Sequence, residues 1–281
     1  MREKEYVLYE DSGQVMLRSY HSVLSPQLRA YREHHHTECE LSLFLSGCGT
    51  YAVHGKEYDF CTGDVFLFGS NEAHSITRID KPMDLLNVHF EPRVLWERAE
   101  SAELLNLFAA RSKGFCHRFA DTDGTLAQKI LHLEGELSEP RPCRALEAKC
   151  ALFSALTHMI RQYDCVDPQK SVAAPSSLTQ SLHAAIQYIH KHLSDKLTLE
   201  QIAAVACMTP TYFSAVFKKL NGVSPFEYIT IKRVELAVDM LRHTPQNKLE
   251  IAALCGFSSS SNFYKAFRRI TGKAPRDFVP S

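Results

Sequence analysis

The chain has 281 residues, with 32 Lys+Arg against 32 Asp+Glu, so its formal charge is zero. That length predicts two domains, and the neutral total hides a division. From residue 178 onward there are 13 Lys+Arg and 7 Asp+Glu, which leaves 19 against 25 in the rest. A basic C-terminal part fits a polyanionic partner, and an acidic N-terminal part argues against one there. The start, Met1-Arg-Glu-Lys-Glu-Tyr6, is charged, so no signal peptide is expected, and no run is long and apolar enough to span a membrane. Nine cysteines without a CxxC pair fit reduced thiols in a cytoplasm rather than a disulfide frame. Cys39, Cys48 and Cys61 read either as redox-sensing thiols or as small packing residues.

Residues 6–92 are predicted to be β. The segments Leu41–Leu45, Gly49–Val53, Gly55–Asp59, Asp64–Phe68, His74–Thr77 and Leu85–Phe90 are short. Gly47, Gly49, Gly55, Gly63 and Gly69 punctuate them, which predicts a sandwich or barrel. Within it stands His34-x-His36-x-x-x-Glu40, with His74 much later. On a strand His34, His36 and Glu40 share a face. Three imidazoles and a carboxylate suit a divalent first-row metal. The tract His34-His35-His36 also reads as a polar strand start with no ligand role. The set resembles the cupin pattern, in which two histidines and a glutamate meet a later histidine inside a small barrel. It departs from that pattern at Cys61, where proline is common, and at Ser70-Asn71, which replaces a proline-containing turn. Tyr31, Phe44, Tyr51, Phe66 and Phe68 either stack on a sugar face or form barrel core.

Two apolar stripes follow. Leu126, Ile130, Leu133 and Leu137 make one, and Leu152, Leu156, Met159, Ile160 and Tyr163 the other, with Pro140 and Pro142 between them. An antiparallel helix pair is expected. Asp164–Ser177, with its prolines, serines and small residues, reads as a linker. The expected domains are a barrel at 1–100, helices at 101–164, a linker at 165–177 and a helical domain at 178–281.

The last hundred residues contain one pattern twice. The first copy has Ile202-Ala203-Ala204, then Phe213-x-x-x-Phe217-Lys218-Lys219, then Gly222-x-x-Pro225. The second has Ile251-Ala252-Ala253, then Phe263-x-x-x-Phe267-Arg268-Arg269, then Gly272-x-x-Pro275. Thr198 with Gln201, and Asn247 with Glu250, are capping boxes that start the first helix of each copy. Cys207-Met208-Thr209 and Gly256 supply the turns, and Thr209-Pro210 opens the next helix. Phe213, Val216, Phe217 and Leu220 fall on one face, as do Phe263, Ala266, Phe267 and Ile270. The outward faces are Thr211, Ser214, Ala215 and Lys218 in the first copy. In the second they are Ser260, Ser261, Tyr264, Lys265 and Arg268. A connecting helix over roughly 224–243, with Ser224-Pro225-x-Glu227 as its capping box, would span about 30 Å. Adjacent major grooves on one face of B-DNA lie roughly 34 Å apart. These are two helix–turn–helix units set to enter successive grooves, and double-stranded DNA is the expected partner.

From about 178 to 281 the chain resembles the DNA-binding domain of the AraC/XylS family of transcription regulators. The second copy carries the resemblance best, in Ile251–Phe257, Asn262–Arg269 and Thr271–Phe278. The resemblance implies a multidomain α and β fold: an N-terminal cupin-like barrel that takes an effector, a middle helix pair, and a C-terminal all-α domain with two helix–turn–helix motifs. It implies DNA contacts from Thr211, Ser214, Ala215, Lys218 and Lys219, and from Ser260, Ser261, Asn262, Tyr264, Lys265, Arg268 and Arg269. Family members usually carry a basic or amide residue on the outward face of the first recognition helix. Thr211, Ser214 and Ala215 depart from that, so the first copy is expected to clamp phosphate or to read thymine methyls. His34, His36, Glu40 and His74 are the expected effector residues, with a sugar or another small metabolite as effector and no cofactor required. A divalent metal on the same four residues is the alternative. Further expected partners are RNA polymerase and a second copy of the chain, through the helix pair, with packing of that pair against the barrel as the alternative, and no membrane. No reaction is expected. The competing readings are a metal sensor and a metal-dependent cupin enzyme tethered to DNA.

Overall fold

The computed structural model describes residues 5–9, 15–27, 33–96, 99–170, 176–244, 246–271 and 274–278. Tyr31, Gly272, Lys273 and residues 171–175 of the expected linker lie outside them. Two compact units result: residues 1–33 with 38–175, and residues 176–281 with the short segment 34–37.

In the first unit the strands are β1 (Glu5–Tyr9), β2 (Val15–Leu24), β3 (Cys39–Val53), β4 (Lys56–Cys61), β5 (Val65–Phe68) and β6 (His74–Phe90). Two helical turns, α1 (Arg93–Trp96) and α2 (Asn106–Ala109), precede β7 (Arg118–Phe119). They form one seven-stranded sheet in the order β1-β2-β6-β3-β5-β7, with β4 on β3, and every pairing is antiparallel. The expected strands Leu41–Leu45 and Gly49–Val53 are one element, as are His74–Thr77 and Leu85–Phe90. The reason is the bulging of β3 against β6 between Phe44 and Tyr51. Bulges bend a strand and raise its twist without ending it. Gly47 sits at this bend with φ +96°, where an added Cβ would lie 2.5 Å from that of Met83. The β3–β4 hairpin turns on His54 and Gly55, both at positive φ, as a two-residue turn of the primed type requires. β7 also lies beyond the expected barrel limit at residue 100, because Val65 and Phe66 of β5 take Phe119 and Arg118 as partners.

Alternation along these strands sends Leu24, Phe44, Tyr51, Val53, Phe60, Phe66, Phe68, Ile76, Met83 and Leu85 into one core. The rings pack on one another: Phe44 stacks on Phe60 at 3.8 Å, and Tyr51 on Phe66 at 5.0 Å. Of the two readings of these aromatics, this is the core. Each such buried side chain contributes about 1.5–3 kcal/mol of transfer free energy.

The helix pair is α3 (Thr125–Ser138) and α4 (Arg144–Gln162). Leu126, Ile130, Leu133 and Leu137 of α3 are buried, as are Leu152, Leu156 and Met159 of α4. His21 of β2 lies 2.8 Å from Asp84 of β6 through Nδ1 and 2.8 Å from Glu134 of α3 through Nε2, which fastens α3 to the sheet. The chain after α4 does not leave this unit at once. Ser112 N donates to Cys165 O, Asp167 N donates to Ala110 O, and Arg111 pairs with Val166. Residues 165–167, read from composition as linker, spend their backbone groups here.

The second unit has α5 (Ser176–Lys191), α6 (Leu199–Val205), α7 (Pro210–Asn221), α8 (Pro225–His243), α9 (Lys248–Leu254) and α10 (Ser260–Thr271). Both expected capping boxes are present, at Thr198–Gln201 and Asn247–Glu250. Ser224 caps α8 by accepting from Glu227 N. The reciprocal half of that box is replaced, because the Glu227 carboxylate takes Arg269 instead. Val234, Ala237 and Leu241 of α8 pack with Ile251, Ala252, Cys255, Phe263, Ala266 and Phe267. In the first copy Phe213 and Phe217 are buried, and Phe217 meets Tyr228 edge-on at 5.4 Å.

Candidate DNA interface and ligand site

Burying the phenylalanines of α7 and α10 turns the other face of each helix outward. On α7, Thr211, Ala215, Lys218 and Lys219 are exposed and Ser214 is half-buried. On α10, Ser260, Ser261, Asn262, Tyr264, Lys265, Arg268 and Arg269 are all exposed. Each helix opens with a hydroxyl cap: Thr209 accepts from Tyr212 N, and Ser259 from Asn262 N. The leading turns therefore have engaged backbone and outward side chains, the arrangement by which a recognition helix meets base edges. Tyr212 was missed from the sequence, yet it is 53 % exposed on the first turn of α7. Its offset of one residue from the buried Phe213 is the signal that could have found it. Arg269 is exposed but already paired with Glu227, so it is less available to phosphate than Arg268.

The sheet holds a different chemistry. Register aligns Arg18, His89 and Glu40 across β2, β6 and β3, and one pair further on Tyr20, Asn87 and Ser42. Side chains two apart share a face, so these six point the way of Leu24, Phe44 and Leu85, beside the aromatic core. Glu40, His74 and His89 are 2 %, 1 % and 3 % exposed. Nε2 of His74 and Nε2 of His89 each lie 3.3 Å from the same oxygen of Glu40. Ser42 donates to the other oxygen. Tyr20 OH lies 3.0 Å from His89 Nε2. Burial pushes the Tyr20 and Tyr51 phenols up, reinforced by the Glu40 charge. Both phenols therefore stay protonated.

The partners of the other ring nitrogens fix the tautomers. His74 Nδ1 lies 2.7 Å from the Glu72 carbonyl, which only accepts, so Nδ1 carries a hydrogen. Glu72 is itself held, by Gly69 N at 2.6 Å and by a two-pronged pair with Arg111. Burial works against the Glu72 charge, but Arg111 outweighs it and keeps this carboxyl below the ordinary range. His89 Nδ1 faces Arg18 Nη2 at 3.3 Å. A guanidinium only donates, so the His89 hydrogen sits on Nε2, toward Glu40 and Tyr20.

The expected tetrad is met in part. Glu40 and His74 come together inside the sheet unit. His34 and His36 do not lie on β3 with Glu40: a bend at Thr37–Glu38 separates them from the strand, which starts at Cys39. The shared-face argument for these two therefore fails, because the backbone between is not extended. Within the sheet unit the clustered groups are Glu40, His74 and His89. His89 and Tyr20 were not found from the sequence, since only the strand register brings them to Glu40. For a metal, His74 fits: its Nδ1–H is anchored on a carbonyl, the usual arrangement behind a metal-ligating Nε2. His89 does not fit, because Arg18 places its hydrogen on the nitrogen that would have to ligate.

Comparison with known proteins agrees with both halves. Residues 20–156 match the model of an AraC-like ligand binding domain, and residues 202–280 that of a helix-turn-helix domain. The chain is 38 % identical over 242 residues to a probable transcriptional regulator, LumQ, of Photobacterium leiognathi, covering 86 % of this chain and 89 % of that one. It is 23 % identical over 252 residues to the transcriptional activator RhaS of Klebsiella pneumoniae, covering 88 % and 87 %. Its fold is similar to that of ToxT from Vibrio cholerae, with a TM-score of 0.60 at 13 % identity over 95 % and 100 % of the two chains.

Proposed function

The chain belongs to the AraC family of DNA-binding transcription regulators, and we propose that its N-terminal domain answers to a small polar metabolite, such as a sugar, bound around Glu40 and His74. One observation carries this reading. A buried carboxylate, two imidazoles, a phenol, a hydroxyl and an amide converge on one end of an otherwise aromatic core. A few convergent polar groups in an apolar setting are the usual form of a small-molecule site. A ligand rich in hydroxyls can exchange hydrogen bonds with all of them. One ToxT structure is described as bound to an unsaturated fatty acid, and so many buried polar groups here suit an acyl chain poorly.

The ligand acts by changing how the helix–turn–helix domain engages its operator, and no bond is made or broken. The protein works in the cytoplasm with RNA polymerase, and α3–α4 are the elements through which two copies would pair. A screen of sugars, small acids, fatty acids and divalent metals by thermal shift tests the effector class, since a ligand of the folded state alone must raise its stability. Stabilisation by a polyol or sugar, lost in His74→Ala and with basal DNA affinity kept, supports the reading. Stabilisation by fatty acids alone would refute it. The second reading, a divalent metal held by the sheet unit at Glu40 and His74, draws on their closeness and on the anchored His74. Metal-dependent stabilisation lost in Glu40→Gln would favour it.

A further inference from the structure

We propose that Cys48 and Cys61 are a cross-strand dithiol that oxidation closes into a disulfide. The two residues are register partners on β3 and β4. The hairpin turn sets what kind of pair they form. Val53 and Lys56 flank the two-residue turn, so they are a hydrogen-bonded pair. Bonded and non-bonded pairs then alternate. Counting back from Val53, Ala52–Glu57, Thr50–Asp59 and Cys48–Cys61 are the non-bonded ones. Main-chain bonds at Cys61 agree: its N–H goes to Asp64 Oδ2 at 2.7 Å, and its carbonyl accepts from Asp64 N at 3.1 Å. Neither group is spent on Cys48.

Non-bonded antiparallel pairs have Cα atoms about 4.5 Å apart, inside the roughly 4.4–6.8 Å that a disulfide spans. Side chains on this face do meet across the strands, since Thr50 Oγ1 donates to Asp59 at 2.9 Å in the adjacent non-bonded pair. Cys61 is exposed and Cys48 half-buried, while Cys39, Cys165 and Cys255 are buried. Burial pushes the Cys165 and Cys255 thiols up to about 11, so they are poor nucleophiles. Both cysteines are free in this structure.

With hydrogen peroxide as oxidant, one thiolate attacks a peroxide oxygen, giving a sulfenic acid and releasing hydroxide. The second thiol displaces the sulfenic oxygen as water and forms the S–S bond. Two thiols and one peroxide yield one disulfide and two waters. The product would matter mechanically. Among the described residues β4 pairs only with β3, and its turn closes one end of the hairpin. The disulfide would close the other, next to Phe60, which stacks on Phe44 in the core.

The test treats the full chain with peroxide, blocks residual thiols and maps peptides by mass with and without a dithiol reductant. The expected result is a link between the peptides holding Cys48 and Cys61, two hydrogens lighter and reversed by reductant. It should persist in a Cys143→Ser/Cys150→Ser/Cys207→Ser variant, which lacks the other exposed thiols. In Cys48→Ser, Cys61 should instead advance to sulfinic acid. Separate blocking or separate over-oxidation of Cys48 and Cys61 in the unaltered chain, or links to other cysteines, would overturn the proposal.

Discussion

At the turn of the second helix–turn–helix copy stands Gly256, with φ +83°, and at the matched place in the first stands Cys207, with φ +55°. The same backbone shape is demanded twice, and only the second copy meets it with the residue that adopts it without strain. Around these turns the cores agree: Phe213 and Phe217 match Phe263 and Phe267, and all four are buried. The faces do not agree. Where α7 has Ser214 and Ala215, α10 has Tyr264 and Lys265. The two copies thus share a buried scaffold and present unlike outward faces.

The cores give the largest expected effects. Phe217→Ala and Phe267→Ala should each cost about 3–5 kcal/mol in urea unfolding, as large-to-small changes at fully buried rings do. Costs that differ by more than about 2 kcal/mol would break the equivalence of the two scaffolds. The turns come next. Gly256→Val should destabilise by on the order of 1–3 kcal/mol or more, from left-handed strain. The clash adds to this, since a Cβ there would lie 2.8 Å from Leu193 O and 2.9 Å from the Arg233 guanidinium. Cys207→Gly should do the opposite and stabilise by a few tenths to about 1 kcal/mol. A loss of stability there would mean that Cys207 is held by contacts that outweigh its strain.

These turns show what kind of information the sequence carries. Thr198, Asn247 and Ser224 were legible as caps because a cap is decided within four residues. The buried and outward faces of α7 and α10 were legible because helical period alone sets them. His89 and Tyr20 were not, because β2, β6 and β3 must first be aligned before Arg18–His89–Glu40 becomes a row. Nor was the bend at Thr37–Glu38 that takes His34 and His36 off the strand, since a run of polar residues is compatible with either conformation. The merging of two expected strands into β3, and of two others into β6, was hidden by the bulges of β3 between Phe44 and Tyr51, which Gly47 and Gly49 mark without distinguishing a bulge from a strand end.

The faces predict smaller and more selective effects. Lys265→Ala should cost about 1–3 kcal/mol at its preferred base pair, measured by competition between operator variants. Ser214→Ala should leave base preference nearly unchanged, and a larger loss from Ser214 than from Lys265 would invert the division between the copies. The basic pairs should act evenly. Lys218→Ala and Arg268→Ala should each reduce the slope of log affinity against log salt by about one. Arg269→Ala should do less, because Glu227 already holds that side chain. An unchanged slope in the Lys218→Ala/Arg268→Ala double variant would remove both from the phosphate contacts.

The division of labour between the two copies is tested most directly by selecting binding sites for the full chain from random duplex DNA, alongside its Lys265→Ala variant. The expected outcome is one sharp half-motif and one weak one, with the sharp positions relaxed in the variant and the weak ones unmoved. A sharp motif that survives Lys265→Ala but collapses in Thr211→Ala/Ser214→Ala would contradict the assignment of base reading to the second copy.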